Sequence, residues 1–199
     1  MKNKAALKIA LIAMLAALVC VTTIMIQLPV PATGGYINLG DAFVIASAYL
    51  LGGIWGGVAA GTGSMLADIL SGYTVYAPAT LIIKALMAVV FVLVLKTLRS
   101  IKINDIIAFS IASVSAELIM ATGYLIYEAL IIGYGAGALA AVPANIVQGA
   151  GGALTGTVLC VFFSKNKAIG RIFDTVTRNK DHARDSKDDA RDVDTEQKK

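Results

Sequence analysis

The chain is poor in the residues that most catalytic and metal sites use. It has one histidine, two cysteines and one tryptophan in 199 residues. The histidine, His182, stands in a polar C-terminal segment, so we expect no histidine-dependent catalysis and no metal site in the apolar part. Cys20 and Cys160 lie in apolar stretches, which favours inert buried thiols over a disulfide or a metal pair. We predict that the protein uses neither a metal nor another cofactor.

Short catalytic motifs are missing as well. The sequence has no G-x-x-x-x-G-K-[ST] phosphate loop, so we do not expect the chain to hydrolyse ATP by itself. It has no G-x-S-x-G elbow and no H-E-x-x-H zinc helix. An integral membrane enzyme is therefore disfavoured. The net charge of +4 does not indicate nucleic-acid binding, because it fits cytoplasmic loops that face anionic lipid.

Charge is scarce in the body of the chain and is clustered. The sequence is 57% hydrophobic and 15% charged, which is too apolar for a soluble domain. Before Lys165 there are seven Lys and Arg residues, and six of them lie in the segments 2–8 and 96–102. Cytoplasmic loops of membrane proteins collect Lys and Arg. The pattern therefore predicts a multispanning membrane protein, with both basic segments inside.

The apolar runs define the spans. Long runs occur at 9–28, 78–95, 106–132 and 138–163. The first run is too long for a signal peptide and no A-x-A site follows it, so we expect it to be retained. Two basic segments on one side of the membrane require an even number of crossings between them. We therefore read 42–72 as two short helices that break near Gly52, Gly53, Gly56 and Gly57.

This count predicts an all-α integral membrane protein. Its six transmembrane helices form one bundle over residues 1–172, and both termini are cytoplasmic. The loops on the other side, 29–40, 72–77 and 133–142, contain no Lys or Arg, in agreement with the positive-inside rule. Residues 173–199 alternate acidic and basic side chains with few apolar ones, which predicts a disordered cytoplasmic tail.

Several polar side chains fall inside the predicted spans. A charge there is expensive and by default marks a functional site. Helix rise places most of these groups in the outer half of the bundle, and two tyrosines of the adjoining loop lie close by. The predicted members of an outward-facing binding cavity are Asp68, Tyr73, Tyr76, Lys84, Glu117, Tyr124, Asn145 and Gln148.

All of these members except Tyr124 also have a structural interpretation. Lys84 and Glu117 could form a buried ion pair that only orders the bundle. Asn145 and Gln148 could make interhelical hydrogen bonds. Asp68 could cap or bridge helix ends, and the two loop tyrosines could belong to an interfacial aromatic belt. The convergence of all these groups on one side is what favours the binding hypothesis.

Small residues form two stripes along the spans. Ala6, Ala10, Ala13 and Ala17 recur at i, i+4, i+7 and i+11 of the first span, a spacing that lets another helix approach closely. The alternative is packing within the bundle itself. Gly149, Gly152 and Gly156 form the second stripe, on the last span, and we assign that stripe to internal packing.

Four segments together resemble the substrate-binding S components of energy-coupling factor (ECF) vitamin transporters. They are Y-I-N-L-G-D at 36–41, G-T-G-S-M-L-A-D at 61–68, S-G-Y-T-V-Y-A-P at 71–78 and P-A-N-I-V-Q at 143–148. The resemblance implies six helices, a vitamin site near the outer face that includes Asn38 and Asp41, and a lid from the first outward loop. It also implies docking, through the alanine stripe of the first span, onto a transmembrane T component driven by two ATPase subunits.

Within this family the chain looks most like the branch for hydroxymethylpyrimidine, pyridoxine or riboflavin. The predicted function is binding of a B-vitamin or precursor, of the hydroxymethylpyrimidine or pyridoxine type, for ATP-driven uptake. A riboflavin-specific S component and a membrane scaffold protein without a ligand are the alternatives. Stacking faces of Tyr73, Tyr76, Tyr124 and Tyr127 suit a flat polar heterocycle.

Overall fold

The computed structural model describes residues 2–31 and 33–177, almost all of them helical. The helices in chain order are α1 (Lys2–Met25), α2 (Asp41–Leu51), α3 (Gly53–Leu70), α4 (Ala77–Ser100), α5 (Asp105–Ile126), α6 (Val142–Lys165) and α7 (Lys167–Thr177). A π-helical turn, Tyr127–Ile131, prolongs α5, and a 3₁₀ helix, Gly135–Ala141, leads into α6. The first six helices pack around a core in which Phe91, Phe109 and Met120 are fully buried.

A β-hairpin interrupts the helical pattern between α1 and α2. Strands β1 (Gln27–Val30) and β2 (Gly35–Asn38) pair antiparallel, with Gln27 opposite Asn38. The all-α prediction is wrong here, and the first helix ends at Met25 rather than Leu28. The residue before a proline is driven out of the helical region, so Leu28-Pro29 is extended. Gly34, at φ 66°, turns the chain back.

The predicted break in the second apolar region is confirmed. Helix α2 ends at Leu51 and α3 begins at Gly53, and Gly52 between them has φ 81°. A side chain at Gly56 would place its Cβ 2.6 Å from the Cα of Ala48, so the two helices touch backbone to backbone. Helix α2 has 11 residues, or about 16 Å at 1.5 Å per residue.

Four helical segments of the described residues are long and apolar enough to cross a membrane. They are Lys4–Met25, Ala77–Ser100, Asp105–Ile131 and Gly135–Lys165. Helices α2 and α3 are not among them, and α2 is far shorter than the apolar core of a bilayer, about 30 Å. The count of six spans and the cytoplasmic placement of the termini stay predictions.

The loops without Lys or Arg meet at one end of the bundle. Gln27 Nε2 donates to Ser71 Oγ at 2.9 Å, and Tyr134 OH donates to the carbonyl oxygen of Thr33 at 3.0 Å. At the opposite end, the Lys8 ammonium lies 3.9 Å from the centroid of the Trp55 ring. Arg99, in the second basic segment, lies 5.9 Å from the centroid of the Tyr49 ring, near the end of α2 that adjoins Gly52. Both basic segments thus lie at this end, and the hairpin lies at the other.

Helix α7 extends past the predicted start of the tail. It runs to Thr177, and Phe173 is buried in a cluster with Leu11, Leu15 and Leu51. The predicted boundary between 172 and 173 therefore falls inside a helix that packs on α1. Residues 178–199 lie outside the described part of the chain, and their assignment as a tail stays a prediction.

We expect cysteine accessibility to report the predicted orientation. Val75 is 63% exposed at the hairpin end, and Ser100 is exposed at the basic end. In intact cells a membrane-impermeant maleimide should label Val75→Cys at once and Ser100→Cys only after permeabilisation. The unchanged chain is the control for background, since Cys20 and Cys160 are buried. External labelling at position 100 would overturn the orientation and the count of six spans.

Candidate functional site

A polar cavity lies beneath the hairpin, between the ends of the helices that meet there. Its empty volume is about 510 Å³ including its open mouth. It is lined by Thr23, Val30, Thr33, Gly35, Tyr36, Asn38, Ser64, Asp68, Tyr76, Thr80, Lys84, Tyr124, Glu128, Ala141, Asn145 and Gln148. Seven of the predicted site residues are in this wall: Asn38, Asp68, Tyr76, Lys84, Tyr124, Asn145 and Gln148.

An ion pair forms the floor of the cavity. The Lys84 ammonium donates to Asp41 Oδ1, and both side chains are buried, with exposures of 2% and 0%. Gln148 Nε2 donates to the other oxygen, Asp41 Oδ2, at 2.6 Å. Asp41 is the first residue of α2, where the helix dipole favours a negative charge. The carboxylate therefore has a partner at each oxygen, which a charge in this setting requires.

Glu117 is not the partner of Lys84, so the ion pair considered from the sequence is wrong. The Glu117 side chain is 5% exposed and packs against Gly149 and Gly152 behind the wall. Neither of its oxygens accepts a hydrogen bond from the described residues. Helix rise estimates depth along one helix, and depth does not say which residue of another helix lies opposite.

Three hydrogen bonds between residues of the cavity wall attach the hairpin over the cavity, in addition to those of Gln27 and Tyr134 described above. Tyr36 OH donates to Asp68 Oδ1 at 2.5 Å, and the Asn38 backbone N–H donates to Gln148 Oε1 at 2.9 Å. Tyr76 OH donates to the carbonyl oxygen of Thr33 at 2.8 Å. Burial and the neighbouring Asp68 carboxylate raise the pKa of Tyr36, so its phenol keeps the proton that it donates. These hydrogen bonds hold the hairpin in place as the cover of the cavity.

Tyrosine rings form one side of the cavity. The rings of Tyr76 and Tyr124 lie 6.3 Å apart between centroids, and the Tyr124 hydroxyl is 2.9 Å from Thr80 Oγ1. Tyr73 is outside the wall and packs on Tyr36 at 4.5 Å. Tyr127 is also outside it, and its hydroxyl donates to the carbonyl oxygen of Val75 at 2.5 Å. Two of the four tyrosines predicted to stack thus face the cavity.

Comparison with known proteins agrees with this geometry. Residues 3–165 match the family model described as the ECF-type riboflavin transporter, S component. The chain belongs to the S-component family of ECF transporters. An uncharacterized protein of Pyrococcus woesei, described as lying in the gap 3′ region, is 33% identical over 156 residues, which are 78% of this chain and 99% of that protein.

Membership in this family gives the cavity its role. S components are substrate-binding subunits of transporters and not enzymes, as the missing catalytic motifs predicted. They bind small vitamins in the membrane and work with T and ATPase subunits. The chain is accordingly a vitamin transporter subunit, and the covered cavity is its candidate binding site.

Sequence reasoning placed three residues in the site that the structure sets behind the wall. Asp41 supports Lys84, Tyr73 supports Tyr36, and Glu117 lies beneath the glycines of α6. It omitted six residues of the wall that carry hydroxyl or carboxyl groups: Thr23, Thr33, Tyr36, Ser64, Thr80 and Glu128. Tyr36 and Ser64 stand in quoted motifs, and Glu128 shares the helix face of Tyr124, so these three carried a signal. The hydroxyl groups of Thr23, Thr33 and Thr80 did not.

We expect the effects of mutating Lys84 and Asp41 on the unfolding temperature to be strongly non-additive. Removing one partner of a buried pair costs about 3–5 kcal/mol, so Lys84→Met and Asp41→Asn should each lower the unfolding temperature of the detergent-purified protein markedly. The double variant should regain much of that loss, because no uncompensated charge remains.

Asp105→Asn is the matched control. Asp105 pairs with Arg99 at the surface, where their side chains are 61% and 41% exposed, and such pairs contribute about 0–1 kcal/mol. Equal unfolding temperatures for Lys84→Met and Asp105→Asn would contradict the assigned ion pair.

Proposed function

We propose that this chain captures a B-vitamin or precursor with a small, flat nitrogen heterocycle, of the hydroxymethylpyrimidine or pyridoxine type. The observation that carries the proposal is the covered cavity, whose wall combines tyrosine rings with polar groups that have no protein partner. Small-molecule sites have this composition, an apolar enclosure with a few placed donors and acceptors. Tyr76 and Tyr124 offer ring faces, and Lys84 offers a donor.

Asn145 is the clearest ligand-facing group. It lies in the cavity wall, and its side chain makes no hydrogen bond with the described residues. An amide offers two donors and one acceptor, which match the ring nitrogens and hydroxyl groups of these vitamins. Because no hydrogen bond of the fold uses this side chain, Asn145 is available to bind a ligand.

Riboflavin is the second candidate substrate. The name of the matching family model supports it. The closed hairpin favours the smaller heterocycles, since it is tied down over the cavity at Asp68 and Gln148. A fused three-ring system would need the hairpin to lift.

We further propose that the alanine stripe docks this subunit onto the T component, with two ATPase subunits driving uptake across a bacterial plasma membrane. Helix α1 packs on the bundle through Leu11, Leu15 and Val19, which are buried. The members of the stripe point away from that face and are exposed: Ala6, Ala10, Ala13 and Ala17. The exposure of the stripe supports docking rather than packing within the bundle.

Thermal stabilisation across a vitamin panel tests the substrate. Hydroxymethylpyrimidine or pyridoxine at about 100 times its Kd should add about 2.7 kcal/mol of stability and raise the unfolding temperature. Asn145→Leu should abolish this shift without lowering the ligand-free unfolding temperature. Trp55→Phe, at the other end of the bundle, should respond like the unchanged protein. A shift with riboflavin alone would favour the second candidate, and no shift with any vitamin would refute the proposal.

Bulky residues on the stripe should separate binding from transport. The double variant Ala13→Leu, Ala17→Leu should keep its ligand-induced thermal shift, because neither alanine lies in the cavity wall. It should lose uptake and co-purification with the T component, because small residues are what permit close helix approach. Val114→Leu, an exposed position on α5, is the control for added bulk. Normal assembly of the double variant would place the docking surface on another helix.

A further inference from the structure

Two buried carboxyl groups face the cavity with one oxygen each unused. Asp68 is 2% exposed and Glu128 is 3% exposed, and both line the wall. Asp68 Oδ1 accepts from the Tyr36 hydroxyl at 2.5 Å, and Glu128 Oε1 accepts from the Tyr76 hydroxyl at 3.1 Å. The second oxygens, Asp68 Oδ2 and Glu128 Oε2, accept no hydrogen bond of good geometry from the described residues, although Thr80 and Thr33 stand beside them.

The Lys84 ammonium in the cavity wall is already part of an ion pair. Lys84 is the one Lys, Arg or His side chain among the described residues that line the cavity, and its ammonium is bound to Asp41. Asp41 itself is held from the other side by Gln148. The cavity therefore has a neutralised floor and two carboxyl groups in its wall, and it offers no unpaired positive charge to a ligand.

Unused buried acceptors favour a particular ligand chemistry. A buried carboxyl oxygen without a hydrogen bond carries a free-energy cost, and a ligand that donates to it removes that cost. Hydrogen bonds in which one partner is charged are about twice as strong as neutral ones. A phosphate or carboxylate on the ligand would instead meet like charge, which costs several kcal/mol.

We infer that the cavity selects a heterocycle that presents N–H donors, an amino group or a protonated ring nitrogen, to Asp68 and Glu128, and that it rejects the phosphate ester of the same heterocycle. This inference rests on the proposed function and narrows its substrate class. Glu128, which the sequence motifs did not assign, becomes a specificity-determining residue together with Asp68. The Asn145 side chain then forms hydrogen bonds with the remaining polar positions of the ring.

Matched ligand pairs test the inference on the purified full-length protein. The probes are 4-amino-5-hydroxymethyl-2-methylpyrimidine and pyridoxamine, each compared with its phosphate ester by isothermal titration. The amine of at least one pair should bind, and its ester should bind about 100-fold more weakly or worse, because like charges repel in the buried site. An ester that binds within tenfold of its amine would overturn the inference.

Failure of the inference and failure of the proposed function give different results. If riboflavin, which has neither an amino group nor a basic ring nitrogen that is protonated near neutral pH, binds while neither amine does, the chain remains a vitamin-binding subunit and only the donor requirement is refuted. If no vitamin in either panel binds, the proposed function fails, and this inference is refuted with it.

Neutral variants of the two carboxyl groups supply the second measurement. Asp68→Asn and Glu128→Gln keep a side-chain oxygen for the Tyr36 and Tyr76 hydroxyls. Each should weaken amine binding at least tenfold, about 1.4 kcal/mol, and should narrow the preference for the amine over its ester. A merely structural role would lower both affinities and leave their ratio unchanged. Asp105→Asn, an exposed carboxyl at the other end, should change neither.

Discussion

The buried pair of Lys84 and Asp41 is the interaction on which the arrangement of the site depends. A lysine in an apolar span is tolerated only with a partner, and here the partner comes from the first turn of α2. Because Asp41 also accepts from Gln148, and Gln148 accepts from the backbone of Asn38, one chain of hydrogen bonds runs from α4 through α2 and α6 to the hairpin. The position of the hairpin therefore depends on the ion pair of Lys84 and Asp41 at the floor of the cavity.

Glycine makes that arrangement sterically possible. Helix α2 is short because the chain reverses at Gly52. Its first residue, Asp41, lies beside the site. A side chain at Gly152 would stand 2.9 Å from the Cβ of Asp41, and one at Gly156 would stand 2.6 Å from the Ile45 side chain. The assignment of this α6 stripe to internal packing is thus confirmed. Close backbone approach brings the polar ends of three helices within hydrogen-bond reach of one another.

Periodicity and charge clustering predicted the helices, the glycine break and the end of the bundle where the polar groups meet. Each of these properties is local, or follows from counting passes between basic segments. The hairpin was not foreseen, since Gln27–Val30 is too short to show strand alternation and continues an apolar helix. The partner of Lys84 was also missed. Asp41 sits at a loop boundary in the sequence, and only the packing of α2 against α4 turns it inward.

The candidate binding cavity and the proposed docking surface lie on different parts of one helix bundle. The cavity lies under the hairpin among α3, α4, α5 and α6, and Thr23 brings the last turn of α1 into its wall. The exposed alanines lie on the opposite side of α1 from the face that packs on α3, so a ligand does not touch the proposed docking surface. Helix α1 meets the cavity through Thr23, through the hairpin that joins it to α2 and through its contact with α3. At that contact a side chain on Gly63 would stand 2.9 Å from Val19 Cβ. Rigid packing of this kind transmits small displacements because it has no slack to absorb them. Thr23 in the last turn of α1, together with the hairpin that follows it, is thus the most direct route by which an occupied cavity could alter the surface that α1 presents.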